Sequence, residues 1–231
     1  MLDEIDDAFN KQLGDSKEGK EVKAMAFFGR VAHQTACRVM IGPELCRDED
    51  FLNSTTGLLE SIFGTAIVIV TLPLGPLRGV LSYLFTLPHR WKLQQCAKML
   101  KPVVAARLRK RVDPKGAQLE NYIPDAIDWA IEQGGNDPQA NDVDNLIKEL
   151  LHNLWAASSA PGGLMTQIVY QLCFEPHYRE PLKKEAEAAI AEHGWSEKTL
   201  SKLHLQDSFI REINRLYPTG SGTAMHFKCC K

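Results

Sequence analysis

The longest periodic run in this chain, residues 142–174, sets what the chain can fold into. Val143, Ile147, Leu150, Leu154, Ser158, Pro161, Met165, Ile168 and Leu172 recur every three to four residues. That spacing lays one apolar stripe along a helix of roughly nine turns. Such a stripe needs a partner surface along its length, so other elements must pack around it. Pro161 lies in the middle of the run and has no backbone N–H, which predicts a kink there. Gly162 and Gly163 loosen the same turn further.

The other segments keep the helical period. Residues 21–41 carry Val22, Met25, Phe28, Val31, Thr35 and Val39 on one face, and Gly42-Pro43 stops them. Asp48 or Asp50 can cap the next helix, which holds Phe51, Leu52, Leu58 and Ile62. The stretch from Ala66 to Leu74 is rich in β-branched residues but has no evident partner strand. It reads as a helix end running into an apolar loop. Residues 76–87 form a short apolar segment that ends at Pro88, and 89–111 are helical again. Asp113 to Gly116 is a turn, Ile123 to Ile131 a helix, and Gly134 to Pro138 the clearest loop. A short helix with Leu182, Ala186 and Ile190 ends at Gly194. A last one begins at Asp207 or Ser208 and closes at Pro218. The fold class is mainly α. The loop at 134–138 divides two groups of helices rather than two domains.

Charge narrows the function. The chain has 27 basic and 29 acidic side chains, a formal net charge of -2, so no polyanion such as nucleic acid is expected as a partner. Arg107, Arg109, Lys110 and Arg111 make the one dense basic cluster. Cations of that kind suit the negative end of a helix. None of the six cysteines forms a C-x-x-C pair and no zinc-type histidine pair is present, so no metal site is expected. Cys37, Cys96 and Cys173 fall in apolar helical patterns and read as buried free thiols. Acidic residues follow Met1 where a signal peptide would be basic. The longest uncharged run, Ser61 to Leu77, is interrupted by Gly64, Pro73, Gly75 and Pro76 and reads as a poor spanning helix.

Three stretches together resemble one family. The first is RVMIGPELCRDEDFL, from Arg38 to Leu52. The second is the long helix, from LLHNLWAASS at Leu150 through VYQLCFEPHY at Val169. The third is LQDSFIREINRLYP, from Leu205 to Pro218. In order and spacing they are similar to fungal cytochromes P-450 of the gibberellin and indole-diterpene type, which are haem-thiolate monooxygenases.

The resemblance implies the central helical part of the cytochrome P-450 fold, with residues 1–231 as a partial domain incomplete at both ends. It implies haem as cofactor and a hydrophobic, terpenoid-like metabolite as substrate. It also implies NADPH-cytochrome P-450 reductase as electron donor and the endoplasmic reticulum membrane as the location of a full-length parent. Glu212 and Arg215 match the family's E-x-x-R core motif. Ala156 and Ala157 fall on its haem-facing helix, and Ser158, Ser159 and Ala160 on its oxygen-activating turn. That turn departs from the usual small-Gly-x-acid-Thr pattern, with Ser159 at the acid and Ala160 at the threonine. The family's F-x-x-G-x-x-x-C-x-G loop, which supplies the thiolate, is not found up to Lys231. Cys229 and Cys230 stand in a segment with no glycine, unlike that loop. The 231 residues are therefore expected to be catalytically inactive as they stand. The alternative is a non-catalytic helical protein that binds an apolar ligand or partner.

Overall fold

A computed structural model of the protein describes residues 1–14, 20–71, 78–112 and 123–218. Among them no strand occurs, and the mainly α expectation holds. The helices are α1 (Leu2–Leu13), α2 (Ala24–Met40), α3 (Glu49–Thr71), α4 (Arg78–Val112) and α5 (Ala126–Gly134). Then come α6 (Val143–Phe174), a 3-10 turn (Pro176–Tyr178), α7 (Arg179–His193), α8 (Glu197–Leu200) and α9 (His204–Leu216). They belong to two compact units, one drawn from Met1–Glu21 and Arg30–Ser159, the other from Val22–Gly29 and Ala160 onward. Both α2 and α6 contribute residues to each unit.

In the first unit the predicted stripe of α6 is buried at Leu146, Ile147, Leu150, Leu151 and Leu154. It meets Cys37 and Ile41 at the end of α2, Phe51 and Leu52 of α3, Cys96, Leu100 and Val104 of α4, and Ile127 of α5. Burying each such side chain contributes about 1.5–3 kcal/mol before entropy is counted. The helix starts are fixed by side-chain caps. Asp48 accepts the Phe51 N–H at 2.7 Å, as its place in the sequence predicts. Asp125 caps α5 by accepting the N–H groups of Ile127 and Asp128, while Asp128 accepts the Asp125 N–H in return.

Several expectations are corrected. Pro88 does not end a segment: α4 runs through both Pro88 and Pro102. Pro88 lies where Leu84 and Leu87 are exposed, so solvent can satisfy the carbonyl that loses its donor. Gly64 does not interrupt α3, which continues to Thr71. Among the described residues α3 is the one helix long and apolar enough to cross a membrane, judged by length and composition. The prolines and Gly75 that follow it, the turn at 113–116 and Cys229 and Cys230 lie outside the described residues. Cys173 is exposed on the last turn of α6, not buried. Helix α9 begins at His204 rather than Asp207 because α7 caps it from outside. The Glu185 carboxylate accepts the Leu205 and Gln206 N–H groups at 2.7 and 2.9 Å.

Arg107 is the largest correction. It does not serve the helix end but lies buried, 4% exposed, among three carboxylates. It donates to Glu44 at 2.8 Å, to Asp125 at 3.2 Å and to Asp128 at 3.1 Å. Gly42, at φ +101, leaves room for this cluster: a Cβ there would stand 2.7 Å from Glu44 Oε2 and run into Asp125.

In the second unit Gly162 does not loosen α6 but lets a neighbour in. A Cβ on Gly162 would stand 2.8 Å from the Cα of Gly29 on α2 and 3.3 Å from the Phe28 carbonyl. Backbone meets backbone there, so the strain has no flexible side chain to absorb it. Gly162→Ala is expected to destabilise by about 1–3 kcal/mol. Gly29→Ala meets nothing within 4 Å. It is expected to be neutral or to stabilise by up to about 1 kcal/mol, the helix-propensity gain. Thermal unfolding followed by circular dichroism separates the two, and equal effects would contradict this packing.

Candidate functional site

The candidate site is the middle of α6. Successive residues turn by about 100° around a helix, so Ala156 and Ala160 share a face, Ser159 lies beside them and Ser158 points away. Burial follows that geometry. Ala156, Ser159, Ala160 and Pro161 are exposed, Ala157 is half-buried and Ser158 is 3% exposed. Ala157 packs against the core of the first unit. Ser159 donates back to the Trp155 carbonyl at 3.2 Å. The open strip carries no side chain longer than a serine or a proline.

Ser158 belongs to a buried polar cluster. Its Oγ lies 2.5 Å from the Leu154 carbonyl and 2.9 Å from His33 Nδ1. The other ring nitrogen of His33 lies 2.7 Å from Thr55 Oγ1, which also reaches the Phe51 carbonyl at 2.8 Å. His33 is 3% exposed and Thr55 2%. Burial, with Arg30 adding repulsion, pushes the His33 imidazole down to about 4, so it is neutral at pH 7. A neutral ring carries one N–H. One hydroxyl therefore accepts from the ring and donates to its backbone carbonyl, while the other donates to the ring.

Glu212 and Arg215 are brought together on α9. The carboxylate accepts Nε at 2.8 Å and Nη2 at 2.6 Å from the guanidinium. The Arg215 hydrogen bond holds Glu212 below its ordinary range. Both side chains are more than half exposed, so the pair by itself contributes little. Glu212 also borders an apolar groove of about 310 Å³ lined by Tyr178, Leu205, Phe209, Ile213 and Leu216.

Burial tells against iron ligation by Cys37, Cys46 and Cys96. Burial raises Cys46 and Cys96 to about 11 and Cys37 further still. A metal ligand must be a thiolate, which these sites disfavour. No group of three or more metal-capable side chains occurs among the described residues. The small side chains of Ala156, Ser159 and Ala160 leave that strip of α6 open; the buried cysteines do not suit the iron of a haem.

His33, Thr55 and the Gly29 contact are absent from the sequence-based site. The available signal was His33 itself, which shares a face of α2 with the core residues Ala36 and Cys37. A polar side chain within an apolar stripe must find buried partners.

The sequence model of the family described as Cytochrome P-450 matches residues 1–227. Cytochrome P-450 monooxygenase sirB of Leptosphaeria maculans is 32% identical over 225 residues, 97% of this chain and 42% of that protein. Ent-kaurene oxidase of Gibberella intermedia is 28% identical over 220 residues, 94% of this chain and 40% of that protein. Cytochrome P-450 monooxygenase esdpG of Penicillium shearii is 30% identical over 226 residues, 95% of this chain and 43% of that protein. The chain thus spans about two-fifths of the length of the curated relatives it matches. With a family match along almost its entire length, the chain belongs to the cytochrome P-450 family, whose cofactor is haem.

Proposed function

We propose that this chain is the central helical part of a single monooxygenase domain that oxidises a hydrophobic, terpenoid-like secondary metabolite. The observation that carries the reading is the open strip of α6, at Ala156, Ser159 and Ala160. These are the positions that the family resemblance assigns to the haem face and the oxygen-activating turn. In the holoenzyme haem supplies oxygen activation. Ala156 and Ala160 would leave room for the macrocycle, and Ser159 would be the one exposed hydroxyl of that turn able to hold a water or pass a proton. Ser158 would act from behind the helix, and Ala157 would support the strip from the core side. Glu212 and Arg215 would lock the core, as E-x-x-R does in the family.

A relative named ent-kaurene oxidase supports a diterpene-like substrate class. Fungal members of the family are generally membrane-bound. Ile67 and Val70 of α3 and Val80, Tyr83, Leu84 and Trp91 of α4 are exposed apolar side chains suited to a membrane surface. The finer reading is the endoplasmic reticulum, with NADPH-cytochrome P-450 reductase as electron donor. The 231 residues alone are read as inactive, since none of their cysteines stands in a glycine-rich loop that presents a thiolate.

The test is expression of the full coding region in yeast microsomes with the reductase and a panel of diterpene hydrocarbons. The expected result is an NADPH-dependent product heavier by one oxygen atom. Oxidation of only non-terpenoid substrates would overturn the substrate class.

A further inference from the structure

Pro161 donates no N–H, so the Ala157 carbonyl lacks its usual partner one turn on. Ser158, in the same turn, bonds back to the Leu154 carbonyl at 2.5 Å, a contact that itself tends to bend helices. Gly162 follows directly and lowers helix propensity. Three successive weaknesses should break this helix. Yet α6 is one helix from Val143 to Phe174.

Something lateral holds the turn. The imidazole of His33 meets Ser158 Oγ at 2.9 Å, and it cannot swing away. Its other nitrogen accepts from Thr55 at 2.7 Å, since Ser158 gives its own proton to Leu154, and Thr55 is itself buried on α3. The ring thus braces α6 against α2 and α3 from within a sealed site.

We infer that His33 is a positioning residue: acting through Ser158, it holds the turn of α6 that Pro161 has deprived of a backbone bond. Fixing Ser158 inward fixes Ala156, Ser159 and Ala160 outward, because their angular offsets on the helix are set. The meaning of this for catalysis rests on the function proposed above; the brace itself does not.

Amide hydrogen exchange on the 231-residue chain tests it. Ser158→Ala leaves a buried ring nitrogen without its partner. Amides at 157–163 should then exchange roughly tenfold faster, with Leu146–Leu151 unchanged. Ser158→Thr keeps the hydroxyl and should restore protection. Pro161→Ala returns the missing N–H. In that background Ser158→Ala should accelerate exchange by less than about threefold, because the turn again has its own bond. Should the threonine variant pack badly, the pair of measurements with and without Pro161 still decides. Equal acceleration in both backgrounds, or faster exchange throughout the core, would overturn the brace and leave an ordinary buried polar cluster. No haem is needed for this reading. A failed brace and a failed monooxygenase assignment are therefore told apart.

Discussion

Arg107→Met is expected to lower the unfolding free energy by roughly 3–5 kcal/mol, the largest effect of any single substitution considered. The side chain is only 4% exposed and gathers three carboxylates from α5 and the loop after α2. Removing the guanidinium strands Asp125, which is 2% exposed and caps α5 with the same carboxyl group. Burial already outweighs the attraction of Arg107 and raises Asp125 to about 6. Without Arg107 the carboxyl would hold its proton to higher pH still. The loss should therefore be greater at pH 8 than at pH 5, where a neutral Asp125 is tolerated. Arg107→Lys should fall between, since one ammonium cannot fork to three acceptors. Arg109→Met, on an exposed side chain of the same helix, should change stability by less than about 0.5 kcal/mol. Urea unfolding of the three variants at two pH values measures this. A loss under about 1 kcal/mol for Arg107→Met would contradict the cluster.

Acid should weaken the first unit through His33. The unfolded imidazole takes up a proton near 6.5, the folded one only near 4. Between those values the unfolded chain holds more protons, so stability falls as pH falls through that window. The full gap corresponds to roughly 3 kcal/mol. Asp125 works the other way. Its folded value is raised, so it protonates first in the folded chain and adds stability as pH falls from about 6 toward 3.8. The two opposing groups flatten the acid limb of the native protein. His33→Gln removes one of them and keeps a side chain able to donate and accept. Its unfolding free energy, measured from pH 7 to pH 4, should hold up better against acid than the native chain's. Parallel curves would show that His33 does not resist its proton.

How far the structure was legible in the sequence depended on whether a feature is local. Apolar periodicity marks α2, α3 and α6, and single residues mark helix ends, as at Asp48 before α3 and Gly194 after α7. Helix α1 was not read from the sequence, although Leu2, Ile5, Phe9 and Leu13 recur there at helical spacing among many charges. It is held by polar contacts across the fold, where Arg47 donates to Glu4 at 2.9 and 3.0 Å. Arg107 reads as one cation among four because its partners are 18 to 63 residues away. Likewise Glu185, a distant residue, moves the start of α9. Pro88 and Pro161 read as breaks because proline removes a backbone bond, but neighbours at the surface or in the core sustain both helices. At the candidate site, the sequence placed Ser158, Ser159 and Ala160 together on one turn of α6. It could not tell that Ser158 faces inward to His33 while Ser159 faces out.

We propose that these 231 residues supply P-450 helices with an open α6 face, and among the described residues the buried thiols Cys37, Cys46 and Cys96 are unsuited to iron. The direct test is the reduced, carbon-monoxide-bound spectrum of the purified 231-residue chain after addition of haem. The prediction is no thiolate-type Soret band. A thiolate-type band, lost on replacement of any of its cysteines, would contradict it.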